Sequence, residues 1–357
     1  PHLGIEGFEI EDGRIVAANA RDLRSGEEVH ITARQFVNAG GAWSGQVAEL
    51  AGCTEVKVTA NKGTLIVTNT RISKGVINRL RPPGDGDILV PGGTVSILGT
   101  SSVTISDPDD RDPTIEEVDR ILDEGSRMLP VLAGTRFIRA FSGVRPLLAA
   151  PGSEIDGRSA SRGFSLFTHE TEGLTNFATI VGGKLTTFRL MAEKTADLVA
   201  ARLGNSEPCR TETEPLPSGP GAGWTEPGAS ARDWMNRVDP TDTVLCECEM
   251  VARSTVDEIV AEAPGHEDHM SLDAIARRSR IGKGACQGAF CAMRVTSHLY
   301  DAGVYDSAQG LAEMRAFINH RYTGTRPVLW GPQLPQTELA EILHVGLAGL
   351  DMVEEPT

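Results

Sequence analysis

The chain has 357 residues, 40% of them hydrophobic, so it is long enough to bury a large core and to hold two or three structural units. Its 34 Lys and Arg residues against 49 Asp and Glu residues give a formal net charge of -15, without a basic stripe, which argues against a nucleic-acid-binding protein. It contains no run of about 18 apolar residues and no signal-like start. We therefore expect a soluble chain that reaches a membrane only through a partner.

The first residues predict a small antiparallel meander. Apolar residues recur with strand-like spacing over residues 7–31, and Asp12-Gly13 and Ser25-Gly26 stand where hairpin turns belong. The chain enters this alternation directly from Pro1. We expect it to be a fragment that lacks its N-terminal part.

Two glycine-bearing turns each follow a predicted strand and precede a predicted helix. The first is Val37-Asn38-Ala39-Gly40-Gly41-Ala42-Trp43. At the second, residues 174–181 predict a strand, Gly182-Gly183 a turn and residues 187–203 a helix. Neither turn carries Gly-x-Gly-x-x-Gly, so the pair fits the second half of a dinucleotide-binding fold better than a complete one.

Between and after these turns, the pattern mixes sheet and helix. Strands are predicted within residues 62–102, and Thr114 with Glu117 predicts a capping box that opens a helix. Residues 205–242 hold six prolines and four glycines, which is typical of a linker.

Four of the six cysteines form two close pairs, Cys246-x-Cys248 and Cys286-x4-Cys291. Four thiolates on two loops suffice for an all-cysteine [2Fe-2S] cluster or an all-cysteine zinc site. Zinc is the less favoured alternative, because structural zinc sites more often use Cys-x2-Cys. Unconnected buried cysteines are a third possibility. Cys53 and Cys209 are interpreted as structural.

The segment between the cysteine pairs predicts two helices, the first opened by Thr255 and Glu258 as a capping box. Glycines at positions 282, 284 and 288 would let the backbone approach a cluster, so that amides could hydrogen-bond its sulfur atoms. The cysteines with residues 281–291 resemble the bacterioferritin-associated-ferredoxin type of [2Fe-2S] domain, over about residues 243–300. That resemblance implies that all four cysteines ligate a [2Fe-2S] cluster.

The two glycine turns carry further resemblances. The first is similar to a turn near FAD in D-amino-acid-oxidase-like flavoproteins. Residues 182–193 closely resemble the C-terminal signature of FAD-dependent glycerol-3-phosphate dehydrogenases, and Phe141-Ser142-Gly143-Val144-Arg145-Pro146-Leu147 and Ser161-Arg162 resemble two earlier segments of that family. With the cysteine motif, they resemble the A subunits of its anaerobic branch.

These resemblances imply an α+β fold followed by a small α-helical iron-sulfur domain. We expect part of an FAD-dependent oxidoreductase fold with a mixed sheet over residues 1–204, a linker over 205–242, the [2Fe-2S] domain over 243–300 and a helical extension over 301–357. The implied FAD-binding residues are Ala39, Gly40, Gly41, Gly182, Gly183, Lys184, Leu185 and Thr186. Amides at residues 183–186 and the following helix dipole would stabilise the N1/O2 side of a reduced flavin.

The resemblance also implies a phosphate clamp of Arg145, Arg162 and Lys184. Oxidation of a secondary alcohol sends a hydride to flavin N5 and a proton to a base, for which Lys184 and His169 are the candidates. A structural role for His169 is the favoured alternative. The sequence departs from the aerobic branch at Lys62-Gly63-Thr64-Leu65, where leucine stands in place of an expected histidine.

The implied activity is oxidation of sn-glycerol 3-phosphate to dihydroxyacetone phosphate. FAD would pass electrons through the cluster to partner subunits carrying flavin or iron-sulfur centres, and finally to quinone. We expect a cytoplasmic location, peripheral on the membrane through those partners, and no nucleic-acid partner. A different FAD-dependent amino-acid or 2-hydroxy-acid dehydrogenase and a non-enzymatic metal-binding module are the alternatives.

Overall fold

The computed structural model describes residues 2–23, 25–148, 163–216, 222–262 and 270–352. They belong to two compact units. The first contains Pro1–Gly63, Ser102–Arg111 and Gly143–Leu216, and the second contains Thr64–Ser101, Asp112–Ser142 and Pro217–Thr357. The boundaries at residues 204, 242 and 300 stay predictions, although the predicted linker includes one regular helix.

The strands in chain order are β1 (Leu3–Glu11), β2 (Arg14–Asp22), β3 (Glu28–Ile31), β4 (Phe36–Asn38), β5 (Val58–Thr68), β6 (Ile77–Asn78), β7 (Ile88–Pro91), β8 (Ser96–Gly99), β9 (Val103–Ile105), β10 (Phe137–Leu148), β11 (Phe164–Phe167), β12 (Phe177–Gly182), β13 (Val244–Cys246) and β14 (Val251–Ala252). The helices are α1 (Ser44–Leu50), α2 (Ile115–Met128), α3 (Phe188–Arg202), α4 (Ala229–Arg237), α5 (Arg253–Ala261), α6 (Leu272–Arg278), α7 (Cys291–Asp301), α8 (Ser307–Thr323) and α9 (Gln333–Glu341). The expected α+β class is confirmed.

The first unit begins with the predicted meander. Strands β1, β2 and β3 form an antiparallel sheet, and Asp12 and Gly13 join β1 to β2 with φ angles of 47° and 73°. Two consecutive positive φ angles give the turn the twist that a tight hairpin needs, which explains the Asp-Gly pair. A second sheet has the order β11-β12-β4, in which β12 runs antiparallel to β11 and parallel to β4.

The second unit has a strand-rich part and a helical part. Strands β8, β7 and β6 continue the sheet from β5 in antiparallel order, and α2 packs on β8. The capping box at Thr114 and Glu117 is confirmed. The Glu117 carboxylate is also buried, where it accepts hydrogen bonds from Thr64 Oγ1 at 2.9 Å and Ser101 Oγ at 2.7 Å. The cap therefore also fixes α2 to the strands.

The helical part packs around the buried Phe317, Val256, Ile275 and Val295. The predicted capping box at Thr255 is wrong. Helix α5 begins two residues earlier, and the Thr255 hydroxyl is buried against Ser230 Oγ of α4 at 2.7 Å. The Thr255 hydroxyl therefore makes a buried side-chain contact instead of capping the start of a helix.

Across the described ranges, the structure contains no helix that combines the length and apolar composition needed to cross a membrane.

Candidate functional site

The two glycine turns lie at one edge of the β11-β12-β4 sheet. Thr179 of β12 pairs with Asn38 of β4 in parallel register, so the turns that follow these two strands leave the sheet at the same edge. Ligands of open sheets bind beyond the carboxyl ends of parallel strands. The structure therefore brings residues 39–41 and 182–186, both predicted to bind FAD, to one side of the first unit.

The turn after β12 accepts only glycine at two positions. Gly182 and Gly183 have φ angles of 88° and 73°. A Cβ atom on Gly182 would lie 2.7 Å from the Gly163 carbonyl oxygen, and one on Gly183 would lie 2.5 Å from Met191 Sδ. Backbone conformation and lack of space both exclude a side chain, so close backbone packing accounts for this glycine pair.

Two of the four amides predicted to face a flavin already have acceptors within the protein. The Gly183 amide donates to the Gly163 carbonyl at 2.8 Å, and the Lys184 amide donates to Thr187 Oγ1 at 3.0 Å. Leu185 and Thr186 open a 3-10 turn before α3, and the first N–H groups of a helix have no intrahelical acceptor. The amides of Leu185 and Thr186 are therefore the two that remain candidates for facing a flavin. The Leu185 side chain beside them is 88% exposed.

Asn38 shapes the first glycine turn, a role that the sequence analysis missed. Its Oδ1 atom accepts from the Gly40 amide at 3.1 Å, and its Nδ2 atom donates to the Ser44 carbonyl at 2.8 Å. Nδ2 also reaches Thr179 Oγ1 at 3.2 Å. Asn38 thus links the first turn to β12, the strand that carries the second turn.

The His169 ring is enclosed by protein. It is 1% exposed and stacks on Phe177 at a centroid distance of 4.8 Å. Its Nδ1 atom pairs with Glu172 Oε2 at 2.8 Å and its Nε2 atom with Thr179 Oγ1 at 2.8 Å. Both nitrogens already have protein partners, which is the geometry of the structural alternative and does not support a catalytic base.

Acidification is expected to destabilise the chain through Glu172. Burial by itself raises the pKa of Glu172, but hydrogen bonds from His169 and from the Thr54 and Glu55 amides outweigh it and hold the pKa below its ordinary 4.5. A carboxyl with a lowered folded-state pKa stabilises fully above its unfolded-state pKa and loses that effect as the pH falls through the folded-state value. Glu172→Gln should therefore show a smaller loss of the free energy of unfolding than the wild type between about pH 6 and pH 3.

Urea unfolding at the two pH values measures this difference. Glu170→Gln is the matched control, because the Glu170 side chain is 59% exposed in its pair with Arg202 and should leave the pH dependence nearly unchanged. An unaltered pH dependence in Glu172→Gln would contradict the assignment.

Arg145, the first predicted phosphate ligand, is held on β10 against the end of β5. Its Nη1 atom donates to Asn61 Oδ1 at 2.8 Å, and Asn61 is itself 1% exposed. A Cβ atom on Gly63 would lie only 2.2 Å from Arg145 Nη2. The glycine in Lys62-Gly63-Thr64-Leu65 therefore makes room for the guanidinium, a contact that no local sequence pattern reveals.

Of the other two predicted phosphate ligands, Lys184 and Arg162, the structure describes only Lys184. Lys184 is exposed at the start of the 3-10 turn, directly after the glycine pair. Arg162 lies outside the described residues. The three-cation clamp stays a prediction.

The four paired cysteines meet in the second unit. Hydrogen bonding from Cys291 lowers the pKa of Cys246 and of Cys286, and the backbone at Cys286 lowers that of Cys248. Cys246 and Cys291 are 1% and 2% exposed. Backbone groups of Glu249 and Gly282 lower the pKa of Cys246, and those of Phe290 and Gly288 lower that of Cys286. The four thiols therefore lie close enough to influence one another and the backbone of both loops.

The four thiols differ in how readily they lose a proton. The hydrogen bond from Cys291 is the largest of the effects that bring the pKa of Cys286 down to about 5, against the opposing effect of burial. The same donor lowers the pKa of Cys246. Burial raises the pKa of Cys248 to about 11, and the hydrogen bonds to Cys246 and Cys286 raise that of Cys291. The environment thus favours the thiolate, the metal-binding form of cysteine, at Cys246 and Cys286.

Two charged residues that sequence reasoning missed hold the cysteine loops. Glu249, directly after Cys248, pairs with Arg280 Nε at 3.0 Å and accepts from Thr94 Oγ1 at 2.7 Å. Arg280 donates to the Gly92 carbonyl at 2.6 Å. The turn between β7 and β8 thus binds both loops, and the partners lie more than 150 residues from it in sequence.

The two remaining cysteines differ. Cys53 is 1% exposed, and burial raises its pKa to about 12, as suits a structural thiol. Cys209 is exposed, with its Sγ atom 3.2 Å from Thr211 Oγ1. Burial therefore supports the structural interpretation for Cys53 alone.

Known proteins resemble the chain over nearly its full length. The family described as FAD dependent oxidoreductase (DAO) matches residues 4–198. The A subunit of the anaerobic glycerol-3-phosphate dehydrogenase of Escherichia coli K12 is 37% identical over 97% of this chain and 67% of its own length. The A1 subunit of the Haloferax volcanii enzyme is 38% identical over 99% of this chain and 64% of its own length. The chain thus spans about two thirds of these curated relatives.

A solved structure shows the same fold. The glycerol-3-phosphate dehydrogenase from Bacillus halodurans, complexed with FAD, superposes with a TM-score of 0.62 at 19% identity, covering 92% of this chain and 70% of its own. The family match covers more than half of the chain, and the identity to the two A-type subunits extends across both units. The chain therefore belongs to the FAD-dependent oxidoreductases and, among them, to the family of anaerobic glycerol-3-phosphate dehydrogenase A subunits.

Proposed function

We propose that the chain is part of a dehydrogenase that oxidises sn-glycerol 3-phosphate to dihydroxyacetone phosphate with FAD, and that its four paired cysteines hold a [2Fe-2S] cluster. The observation that carries the enzymatic part is the meeting of two glycine turns at one edge of parallel strands, in a chain of this family. The names of the relatives supply the substrate. Membership in an oxidoreductase family argues against the non-enzymatic alternative.

The flavin end of the site is built from backbone. FAD, when bound, accepts a hydride from C2 of the substrate. The amides of Leu185 and Thr186, with the positive end of the turn that leads into α3, would stabilise negative charge on the flavin ring. Gly182 and Gly183 let the turn pack closely enough to place these amides, because any side chain there would meet the Gly163 carbonyl or Met191.

The substrate end depends on cations. Arg145 offers a planar guanidinium held by Asn61, and the resemblance adds Arg162 and Lys184 to the phosphate site. Lys184 is also our candidate for the base, since His169 has protein partners on both ring nitrogens. Only the neutral amine can take the hydroxyl proton, so Lys184 Nζ would become a phosphate-binding cation once the proton has moved to it.

The cysteine spacing favours a [2Fe-2S] cluster over one zinc ion. Structural zinc sites more often use Cys-x2-Cys than the Cys-x-Cys pair formed by Cys246 and Cys248. A [2Fe-2S] cluster binds four cysteines across two metal atoms. When bound, it supplies one-electron transfer.

The same proposal includes partners and a location. The letter A in the relatives' names implies that their enzymes contain other subunits. We propose that these carry flavin or iron-sulfur centres, pass electrons to quinone and hold the chain at the cytoplasmic face of the membrane.

Anaerobic purification of the complete polypeptide tests both halves. Flavin absorbance, dye reduction driven by glycerol 3-phosphate and about two irons per chain are expected, with little zinc. Cys286→Ser should lose the iron, whereas Cys209→Ser, at an exposed cysteine outside the cluster, should keep it. Zinc in place of iron would refute the cluster. Faster dye reduction with an amino acid or a 2-hydroxy acid would refute the substrate.

A further inference from the structure

A half-buried arginine, Arg321, lies directly beside the cysteine loops. Phe317 and Arg321 stand one turn apart on α8, with the guanidinium carbon 5.2 Å from the centre of the Phe317 ring. A Cβ atom on Gly282 would lie 2.8 Å from Phe317 Cζ and 3.2 Å from Arg321 Nη2. A Cβ atom on Gly288 would lie 2.7 Å from Phe317 Cε1. The glycines beside the cysteines thus allow the loops to pack on this cation–π pair.

The amide contacts connect this pair to the sulfur atoms. Gly282, which packs on Arg321, is also one of the residues whose backbone lowers the pKa of Cys246. Arg321 and Cys286 moreover line one cavity of about 330 Å³. The guanidinium is therefore adjacent to both cysteine loops, although Arg321 lies 30 residues beyond the last cysteine in sequence.

Arg321 lacks a carboxylate partner of its own. Its Nε atom is buried without a hydrogen-bond partner, and no carboxylate of the described residues forms an ion pair with it. Asp273 attracts it from a distance, but that carboxylate already pairs with His320 Nδ1 at 3.3 Å. A charge that is partly withdrawn from water and has no ion pair is destabilising, and a nearby anion would offset it.

A second cation, Arg139, adds positive charge near Arg321. The Arg139 Nε atom is also buried and unpartnered. Burial first, and repulsion by Arg321 second, lower the pKa of Arg139 to about 10. Of the groups that attract Arg321, Asp273 acts most strongly, followed by Cys291 and Cys286. Because Asp273 is already paired with His320, the cysteine centre is the anion left to offset the Arg321 charge.

We propose that Arg321 is the counter-charge of the cysteine centre and makes its one-electron reduction more favourable. The inference rests on the proposed function, because it takes the centre to be a [2Fe-2S] cluster. Two ferric ions, two sulfides and four thiolates form a dianion, and an added electron makes it a trianion. The half-buried cation stabilises the trianion more than the dianion, because its attraction grows with the negative charge of the cluster and is only partly screened by water.

Redox titration of the complete, anaerobically purified polypeptide, followed by electron paramagnetic resonance of the reduced cluster, tests this role. Arg321→Gln is expected to keep the iron and sulfide content but to lower the midpoint potential. Arg321→Lys, which keeps the charge, should have a midpoint potential close to that of the wild type. Arg294→Gln is the matched control, because Arg294 pairs with Glu247 at the surface and 43% of its side chain is exposed. The midpoint potential of the cluster should stay unchanged in this variant.

Each outcome decides a different point. An unchanged potential in Arg321→Gln with full iron content overturns the inference and leaves the proposed function intact. If Arg321→Gln fails to assemble a cluster, Arg321→Lys decides: assembly with near-wild-type potential supports the charge role, and failure to assemble overturns it in favour of packing. A wild-type protein without iron would refute the proposed cluster itself.

Discussion

Replacement of Glu249 by alanine is expected to lower the free energy of unfolding by about 3–5 kcal/mol, because it leaves a buried guanidinium without its partner. The Glu249 side chain is 2% exposed and that of Arg280 is 13% exposed, with 3.0 Å between Glu249 Oε2 and Arg280 Nε. The variant also removes the acceptor of Thr94 Oγ1. Urea unfolding of the complete chain measures the loss.

A second ion pair in the same loop provides the control. Glu247 stands between Cys246 and Cys248, and its Oε1 atom lies 2.9 Å from Arg294 Nη1, with side-chain exposures of 70% and 43%. An exposed pair of this kind contributes about 0–1 kcal/mol, so Glu247→Ala should unfold nearly as the wild type does. Equal losses in the two variants would show that burial of the Glu249–Arg280 pair is unimportant.

Substitution of Gly63 by alanine is expected to reduce kcat/KM for glycerol 3-phosphate by on the order of 10²–10³-fold, the effect of losing a hydrogen-bonded charge from a binding site. The added methyl group would lie 2.2 Å from Arg145 Nη2, so the guanidinium must leave its place beside Asn61. Flavin content should stay at the wild-type level. Steady-state kinetics with glycerol 3-phosphate and a dye acceptor measure the change.

The control for this variant lies on the same strand as Arg145. A Cβ atom on Gly143 would meet nothing within 4 Å, so Gly143→Ala should keep kcat/KM within about twofold. If Gly63→Ala retains full activity, Arg145 does not bind the phosphate in the position that the structure gives it.

Local signals in the sequence predict local parts of the site. The glycine turn at residues 182–183 and the capping box at Thr114 each depend on neighbours within a few residues, and the structure contains both. The spacing of the two cysteine pairs also predicts that they form one cluster, and their thiols do lie close to one another. In each case, the chemistry needs one type of residue at a fixed short separation.

Contacts across long separations could not be predicted in this way. Glu249 accepts a hydrogen bond from Thr94, 155 residues away in sequence, and Arg145 donates one to Asn61, 84 residues away. Both charged residues look like ordinary surface charges in the sequence, because only strand pairing and loop packing bring their partners close. The choice between a structural and a catalytic role for His169 also depends on tertiary packing, because its ring is enclosed by Thr179 and Phe177 of β12.

The contacts of the β7–β8 turn with the cysteine loops limit how far the cysteine segment can be transferred to another protein. Grafting residues 243–300 alone into a foreign protein would carry Glu249 and Arg280 but leave behind Thr94 and the Gly92 carbonyl that satisfy them. The excised loops would keep every sulfur atom and yet lack the scaffold that sets their spacing. A functional graft therefore has to include the hairpin that β7 and β8 form.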